Sequence, residues 1–269
     1  MAMEIRLPER KLSKLVSLVK EWRAHKAGKK SEVQSLVGHL CHACKVVRPG
    51  WRSLRGMFTA LSHARKSYHY VRINARFRAD LEWWHTFLRE WNGVSVMSKG
   101  EPTVEIWSDA SGSWGCAAYW ENQWFQLQWR DFPKFSDTCI ATKELLPILT
   151  AAAVWGREWR GMKVHFHCDN MAVVVVLNSG YCKDPHMAHM VRCLFFLEAR
   201  FNFSVSAQHV PGVQNQPADA LSRNQSCVFF QLVPSANRCP TLVSSKIVEG
   251  LISIQEWTTA SWNNWFSII

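Results

Sequence analysis

The sequence predicts an α/β protein in which a five-stranded mixed sheet with flanking helices follows a small, basic, all-α region. Before residue 97, apolar residues recur every three or four positions, which is typical of amphipathic helices. From Pro102 onward, short alternating apolar runs typical of strands are interspersed with segments of helical spacing. The predicted order there is three antiparallel strands, a helix, a strand, helices, a strand and a helix, which predicts one mixed sheet with helices packed on it.

Four helices are predicted in the basic region. Their ranges are 8–27, 31–47, 53–63 and 74–91. Pro8 suits the first turn of the first helix and Gly28 its end, and Ser31 begins a capping box for the second. The side chains expected to face inward on the third helix are Leu54, Met57, Phe58 and Leu61. Residues 94–101 are predicted to form a polar linker.

Five strands are predicted in the sheet. They are residues 103–109, 115–120, 123–129, 163–168 and 203–208. The second and third are expected to form a hairpin. The helices predicted around them are residues 142–159, 171–178, 186–200 and 217–223. Thr142 is a candidate N-cap residue, Pro147 is expected to kink the first of these helices or to mark its first turn, and Gly180 is expected to end the second.

The predicted organisation is two domains and a tail. Residues 1–96 form the basic helical region, residues 102–223 form the α/β domain, and residues 224–269 form the tail. Pro234 and Pro240 favour a linker within the tail. The residues that mark a short apolar helix or an unfinished module near its end are Trp257, Trp262 and Trp265.

The net charge of +11 is concentrated in the first part of the chain. Residues 1–96 carry 19 Lys and Arg against 7 Asp and Glu, whereas residues 97–269 carry 13 against 14. This asymmetry predicts that the first part grips a polyanion such as nucleic acid; a basic face that is merely solvated is the alternative. The candidate nucleic-acid-binding residues are Lys11, Lys14, Arg23, Lys29, Lys30, Arg52 and Arg55.

Several other classes of protein are disfavoured by the sequence. No 18-residue apolar run occurs, so a membrane-spanning helix is not expected. The first residues contain no apolar signal region, so we expect an intracellular protein of the cytoplasm or nucleus rather than a secreted one. The nine cysteines are scattered, which favours free thiols over a disulfide framework.

One short segment has the residue types of a zinc site. His39-Leu-Cys41-His42-Ala-Cys44 brings two histidines and two cysteines close together in the chain. However, both cysteines lie on the apolar stripe of the second predicted helix, and no second Cys/His pair follows at finger spacing. Core packing is therefore favoured over zinc binding.

Four acidic residues are predicted to meet at one rim of the sheet. Asp109 ends the first strand, and Asp169 ends the fourth. Glu144 opens the main helix, and Asp219 opens the last one. Such carboxylates are the hard ligands with which two Mg²⁺ ions, about 4 Å apart, activate water and stabilise the leaving oxygen in phosphodiester cleavage. Taken singly, each acid has an ordinary explanation as a cap or first-turn residue; their combination predicts the metal site.

His209 is a fifth candidate for the same rim. It follows the last strand, and Pro211-Gly212 is expected to make a mobile loop between it and Asp219. Near a metal site, an imidazole can shuttle protons or help the product to leave. A single loop histidine usually has no such role, so this prediction depends on the four carboxylates.

Residues 103–223 resemble the ribonuclease H domain of retroelement reverse transcriptases. The motifs that carry the resemblance are Trp107-Ser-Asp109-Ala-Ser, Lys143-Glu144-Leu-Leu, His167-Cys-Asp169-Asn170 and His209-Val-Pro-Gly-Val-Gln-Asn-Gln-Pro-Ala-Asp219-Ala-Leu-Ser-Arg223. The last and most specific is similar to the closing motif of gypsy-type elements and, more closely, of DIRS-type elements. Residues 5–93 resemble the thumb and connection helices that precede this domain. The stretch from Trp257 to Trp262 resembles the approach to the DIRS-type recombinase.

The resemblance implies a ribonuclease H-like fold and a metal-dependent endonuclease that hydrolyses the RNA strand of RNA/DNA hybrids. The metal ligands that it implies are Asp109, Glu144, Asp169 and Asp219. It also implies that His209 is the loop histidine and that Asn170 contacts the substrate. The implied cofactors are two Mg²⁺ ions, with Mn²⁺ as a substitute, and the implied partner is an RNA/DNA hybrid or another nucleic-acid duplex.

The sequence contains no Tyr-x-Asp-Asp-like pair of a polymerase palm. Polymerisation by this chain alone is therefore not expected, and a polymerase-bearing reverse transcriptase is a candidate partner. The chain is interpreted as part of a retroelement, either decayed or domesticated. The alternative is a nucleic-acid-binding module without activity, in which the basic helices act and the carboxylates are relics. The presence of all four acids favours the nuclease.

Overall fold

A computed structural model of the protein describes residues 3–97 and 103–252. Residues 3–97 belong to one compact unit and residues 103–252 to a second. The first unit is built mainly of helices, and the second is built around a five-stranded sheet. None of the helices in the described residues is long and apolar enough to span a membrane.

Four helices form most of the first unit. Helices α1 to α4 are Glu9–Ala24, Lys30–Ala43, Arg55–Ser62 and Ala75–Glu90. A 3₁₀ segment, Arg48–Leu54, leads into α3. The Asn74 side chain caps α4 by accepting the Phe77 backbone N–H at 3.0 Å. Trp83 and Trp84 are fully buried on α4, so this helix supplies the largest side chains of the core.

Two short antiparallel ribbons in the first unit were not expected from the sequence. Strand β1 (Met3–Arg6) pairs with β4 (Val94–Met97), and β2 (Ala27–Lys29) pairs with β3 (Tyr70–Arg72). The start of the predicted 94–101 linker is therefore a strand. Strands of three or four residues contain too few positions for alternation to identify them in a sequence.

Three local predictions for the first unit are wrong. Helix α1 ends at Ala24, and Gly28 lies within β2, where an added Cβ would come within 2.5 Å of the Trp22 ring. Helix α2 begins before Ser31, because the Glu32 carboxylate accepts the backbone N–H of Lys29 at 2.8 Å and so caps the helix from there. Phe58 is 43% exposed, because α3 buries the face that contains Gly56, Met57 and Ala60.

The sheet of the second unit has the order β7-β6-β5-β8-β9. Strands β5 to β9 are Thr103–Ala110, Gly115–Trp120, Gln123–Gln128, Lys163–Cys168 and Ser204–His209. The first three strands pair antiparallel, whereas β8 pairs parallel with both β5 and β9. This arrangement confirms the predicted five-stranded mixed sheet with flanking helices, and it is consistent with a ribonuclease H-like fold.

Seven helices accompany the sheet within the described residues. Helices α5 to α11 are Pro133–Ser136, Ile140–Trp155, Met171–Ser179, Pro185–Phe201, Gln216–Ser222, Ser226–Leu232 and Ser245–Ile252. Helix α6 is buried along almost its whole length and packs against β5, β6 and α8. It begins at Ile140, so Thr142 is not its N-cap residue, and Pro147 lies in its interior rather than in its first turn.

Helix α7 forms although four successive valines give it poor intrinsic helix propensity. Both ends are capped, because the Asn170 side chain accepts the backbone N–H groups of Ala172 and Val173, and Gly180 adopts the left-handed conformation that ends the helix. Burial of Val173 and its apolar neighbours supplies the remaining stabilisation. The predicted role of Gly180 is confirmed.

The first part of the predicted tail packs against the second unit. Phe229 of α10 is fully buried in a cluster with Trp124 and Leu221, and Val248 and Leu251 of α11 are buried where that helix packs against α6 and α8. Residues 224–252 are therefore integrated with the sheet rather than forming a linker. The residues of the predicted apolar helix or module that lie outside the described residues are Trp257, Trp262 and Trp265.

Candidate active site

Asp109 lies near the end of the central strand β5. Its side chain is buried, and its Oδ2 accepts a hydrogen bond of 2.5 Å from the Ser222 hydroxyl. Burial and, to a smaller extent, repulsion from the nearby Asp169 and Asp219 carboxylates raise the pKa of Asp109 to about 6, although the Ser222 hydrogen bond opposes the shift. The central strand thus holds a carboxylate whose negative charge is poorly compensated.

Glu144 enters the same region from helix α6. Its side chain is buried, and burial followed by repulsion from Asp109 and Asp169 raises its pKa to about 9. A hydrogen bond with the backbone of Ala110 opposes this shift. Without a cation, Glu144 is therefore predominantly protonated at neutral pH, so a bound cation would have to displace that proton.

Asp169 follows strand β8 directly, and its side chain is partly buried. Single ligand atoms of Glu144, Cys168 and Asp169 all lie within 4.8 Å of one another. Burial and repulsion from Asp219 raise the pKa of Asp169, whereas the nearby His209 lowers it. Because β5 and β8 are adjacent and parallel, the carboxylates that end them lie at the same edge of the sheet.

Asp219 lies in the first turn of α9, and its side chain is only partly buried. Its Oδ1 accepts a hydrogen bond of 2.7 Å from Arg223 Nε, in an ion pair whose side chains are 40% and 54% exposed. Repulsion from Asp219 contributes to the raised pKa values of Asp109, Glu144 and Asp169. The structure therefore brings all four predicted carboxylates into one electrostatically coupled cluster.

Several residues that were not predicted hold α9 against the central strand. The Ser111 hydroxyl donates to the Ser222 carbonyl oxygen at 2.9 Å, and the buried Asn215 side chain donates to the Ser108 carbonyl oxygen at 3.0 Å. These bonds, with that from Ser222 to Asp109, fix the position of Asp219 relative to β5. Asn215 and Ser222 lie inside the closing motif, but their partners are more than 100 residues away, and no local pattern identifies them.

Cys168 is the other residue of this region that the sequence analysis missed. Its thiol lies 4.0 Å from Glu144 Oε2 and is buried. Burial and the Glu144 carboxylate raise its pKa far above the ordinary value, so it remains a neutral thiol. Its position directly before Asp169, on the inward face of β8, was the available signal.

His209 ends strand β9 at the same edge of the sheet. Its Nε2 lies 3.1 Å from the Asp169 carbonyl oxygen, and its side chain is exposed. In the following loop, a Cβ at Gly212 would lie 3.7 Å from Asp169 Oδ2. The predicted loop histidine is therefore adjacent to the carboxylate cluster. Asn170, in contrast, uses its side-chain oxygen to cap α7, and its predicted contact with substrate stays a prediction.

The predicted nucleic-acid-binding residues of the first unit differ in their surroundings. Lys11 and Lys14 line a groove between α1 and α2, where Lys11 Nζ lies 3.0 Å from His42 Nε2. Arg23 forms an ion pair of 2.8 Å with Glu82, and Lys30 donates to the Ala64 carbonyl oxygen at 2.7 Å. Arg23 and Lys30 therefore have structural partners. The remaining candidates, which are exposed or partly buried, are Lys29, Arg52 and Arg55.

The comparison with protein families is consistent with this geometry. A family described as reverse transcriptase-like matches residues 151–225. That family has a ribonuclease H-like fold and indicates nuclease activity in general. The matched segment includes Asp169, His209 and Asp219, whereas Asp109 and Glu144 precede it, so the family match does not bear on these two residues. A search of curated proteins found no match to the chain.

Proposed function

We propose that this chain is a metal-dependent endonuclease that hydrolyses the RNA strand of RNA/DNA hybrids. The observation that carries the proposal is the cluster of four coupled carboxylates at one edge of the mixed sheet. Like charges brought together in a partly buried site destabilise a protein unless a proton, as at Glu144, or a bound cation neutralises them. The reverse transcriptase-like family match supports a nuclease in general, and the hybrid substrate is the finer part of the proposal.

The residues present fit two Mg²⁺ ions, with Mn²⁺ as a substitute. Mg²⁺ prefers carboxylate oxygens from different elements of a rigid frame, and the four acids come from two strands and two helices. A bound dication would relieve the repulsion that raises the pKa of Glu144. The neutral Cys168 thiol is a poor ligand for a hard ion, so we assign it no metal contact.

The chain's own residues are proposed to have two roles, which are to hold the metal ions and to transfer a proton. When bound, the two ions supply water activation and stabilisation of the leaving oxygen. Asp109, Asp169, Glu144 and Asp219 would together hold the two ions. The hydrogen bond from Ser222 holds Asp109 Oδ2 in position before any ion binds. His209, exposed beside Asp169, is proposed to carry a proton or to help the product to leave.

The first unit is proposed to bind the sugar–phosphate backbone of the duplex. It carries the chain's excess of positive charge, and Lys11 and Lys14 offer ammonium groups at an exposed groove. Recognition of a hybrid would then depend on backbone shape and 2′-hydroxyl groups rather than on sequence. We also propose that the chain is an intracellular part of a DIRS-type or gypsy-like retroelement, with a separate reverse transcriptase as its polymerase.

Cleavage of an end-labelled RNA/DNA hybrid tests the proposal. We expect wild-type protein to cut the RNA strand with Mg²⁺ or Mn²⁺ and to stop when a chelator is added. Asp109→Asn should lower the rate at least about a hundredfold, because it would remove a charged ligand from the proposed metal site. Asp131→Asn is the matched control: Asp131 is an exposed aspartate that lies beside Arg130 and is not one of the four acids, so this variant should cut normally.

The alternative, a binding module without activity, gives a different set of results. It predicts hybrid binding that weakens steeply with salt, no effect of metal, and no difference between wild type and Asp109→Asn. That pattern would overturn the nuclease proposal and leave the basic first unit as the functional part of the chain.

A further inference from the structure

A second group of metal-ligating side chains lies on the sheet, apart from the four carboxylates. Glu105 is on β5, and His165 and His167 are on the adjacent parallel strand β8. Single ligand atoms of these three residues all lie within 4.8 Å of one another. Nothing in the proposed nuclease reaction uses them, so their arrangement requires a separate explanation.

The strand register accounts for their convergence. Glu105 pairs with His165 across the two strands, and His167 follows two positions later, so all three side chains project from the same face of the sheet. His167 Nε2 is hydrogen-bonded to Glu105 Oε2. In a tetrahedral zinc site, N and O ligands about 2.0–2.2 Å from the ion are roughly 3.4 Å apart. Small side-chain rotations would therefore suffice to place one ion among the three.

The surroundings of His165 also suit a metal ligand. One ring nitrogen of His165 lies 2.8 Å from Ser206 Oγ and the other lies 3.1 Å from Gln208 Oε1. One nitrogen could bind an ion while the other keeps its partner, which is the usual way in which a ligating imidazole is oriented. The Trp107 ring stacks on His167 with centroids 4.1 Å apart and so restricts its rotation.

Access from solvent differs among the three residues in a way that suits an open coordination position. The Glu105 side chain is 49% exposed, whereas that of His167 is 12% exposed. The imidazole is thus held against the sheet while the carboxylate lies at the surface. Two histidines and one glutamate, with the fourth position left to water, form a set that binds Zn²⁺ in proteins.

We propose that Glu105, His165 and His167 form a binding site for one Zn²⁺ ion or a similar borderline transition metal. The site is distinct from the nuclease cluster, because Asp109 lies four residues beyond Glu105, or about 13 Å along the strand, and because imidazole ligands favour zinc over magnesium. The inference is independent of the proposed function. Without a metal, Glu105 and His167 form a carboxylate–imidazole pair, and His165 bonds to Ser206 and Gln208 instead.

Titration of the full-length protein with Co²⁺, a spectroscopic substitute for Zn²⁺, tests the site. The protein is first freed of metal with a chelator and then placed in excess Mg²⁺, which would compete with Co²⁺ for any metal site at the carboxylate cluster. We expect one equivalent of Co²⁺ to give visible absorption bands of a site with nitrogen and oxygen ligands, and Zn²⁺ to displace it. Glu105→Gln and His165→Asn should each weaken binding at least about tenfold.

Two controls separate this site from other histidines and from thiols. His63→Asn alters an exposed histidine of the first unit and should leave binding unchanged. The substitution Cys41→Ser tests the His39–Cys44 segment, because a thiolate ligand would add a strong near-ultraviolet band that this variant loses. Glu105→Gln changes a half-exposed side chain, and circular dichroism checks that it folds.

Three results would overturn the proposal. One is the absence of saturable Co²⁺ binding by the wild-type protein. Another is equal affinity in the wild type, Glu105→Gln and His165→Asn. The third is a thiolate spectrum that disappears in Cys41→Ser, which would place the metal at the cysteines instead.

Discussion

Both units bury carboxylates, but they surround them differently. In the first unit, Asp80 of α4 is almost fully buried, and its Oδ2 accepts the backbone N–H groups of Gly56 and Met57 at 2.7 and 3.3 Å. These donors belong to the first turn of α3, where N–H groups have no partner within the helix. The carboxylate therefore satisfies the helix end and joins α4 to α3.

In the second unit, the buried carboxylates of Asp109 and Glu144 lie close to other acids, and their few donors do not offset the effect of burial and repulsion. Asp109 has the Ser222 hydroxyl as a partner, but it also interacts with Asp169 and Asp219, and its pKa rises to about 6. Burial and neighbouring acids raise the pKa of Glu144 to about 9. A fold that can satisfy a buried acid, as it does at Asp80, does not need such a cluster for stability. The contrast favours a function for the second set of acids.

The largest expected effect is a loss of activity, and it concerns the four clustered acids of the second unit. Asp169→Asn should lower the rate of metal-dependent hybrid cleavage at least about a hundredfold, because it would remove a charged ligand from the proposed metal site. Hybrid affinity, measured by fluorescence anisotropy, should change little, since the basic residues of the first unit are untouched. Normal cleavage by this variant would show that the site assignment is wrong.

A matched control for this variant is available on the neighbouring helix. Asp184 caps α8 by accepting the Met187 backbone N–H at 2.9 Å. Asparagine caps helices about as well as aspartate, so Asp184→Asn should keep both stability and cleavage. It also tests whether any loss in Asp169→Asn arises merely from removing a negative charge near the end of a secondary-structure element.

The next largest effect is on stability and concerns Asp80, the buried acid of the first unit. Asp80→Ala should lower the free energy of unfolding by about 3 kcal/mol, because two buried N–H groups lose a charged acceptor. Urea denaturation of the metal-free protein measures the change, and Asp131→Ala provides an exposed control. Addition of Mg²⁺ should not restore the lost stability. A change of a few tenths of a kcal/mol would mean that this carboxylate is not the structural link that its contacts suggest.

Whereas the Asp80 carboxylate stabilises the fold, an ionised Glu144 should destabilise it, and the pH dependence of the free energy of unfolding should show this. Its pKa is about 9 in the folded protein and near its ordinary value of 4.5 when unfolded, so the folded state binds the proton more tightly. Its contribution to stability is therefore complete below about pH 4.5 and is lost as pH rises towards 9, at no more than about 1.4 kcal/mol per pH unit.

Glu144→Gln isolates this contribution. Urea denaturation in chelator should give a pH profile between 4.5 and 9 that is flatter than that of the wild type, and up to about 3 kcal/mol more stability at pH 7. Cleavage should be lost at the same time, since the amide is a poor ligand. Glu249→Gln changes an exposed glutamate of α11 and should leave the profile as it is. Parallel profiles for wild type and Glu144→Gln would contradict the raised pKa.

The contrast between the two regions also explains how far the sequence could predict the molecule. The central strand, the end of α7 at Gly180 and the positions of the four acids follow from alternation, turn residues and motif order. The ribbons of the first unit and the packing of α10 and α11 do not, because short strands and short apolar helices carry little local signal. Tertiary contacts, such as that of Phe229 with Trp124, determine them.

The same reasoning separates the predicted from the missed residues of the site. Carboxylates at strand ends and in first turns can be found because the chemistry requires that residue type in that place. Ser222 and Asn215 were missed because serine and asparagine are common in turns, and only the fold shows that they bond to β5. The ion pair between Arg23 and Glu82 was also not predicted, because the two residues are 59 positions apart and only the fold brings them together.

The smallest expected effect concerns Arg223. This residue forms an ion pair, as a structural partner would, but its partner is one of the four acids of the cluster. The Arg223 guanidinium group and the Asp219 carboxylate are both about half exposed to solvent. Because exposed ion pairs contribute little to stability, Arg223→Ala should change the free energy of unfolding by less than about 0.5 kcal/mol. Since the guanidinium group competes with a cation for Asp219 Oδ1, the variant should need about half as much Mg²⁺ for half-maximal cleavage. A higher Mg²⁺ requirement would instead identify Arg223 as the group that positions Asp219 for metal binding.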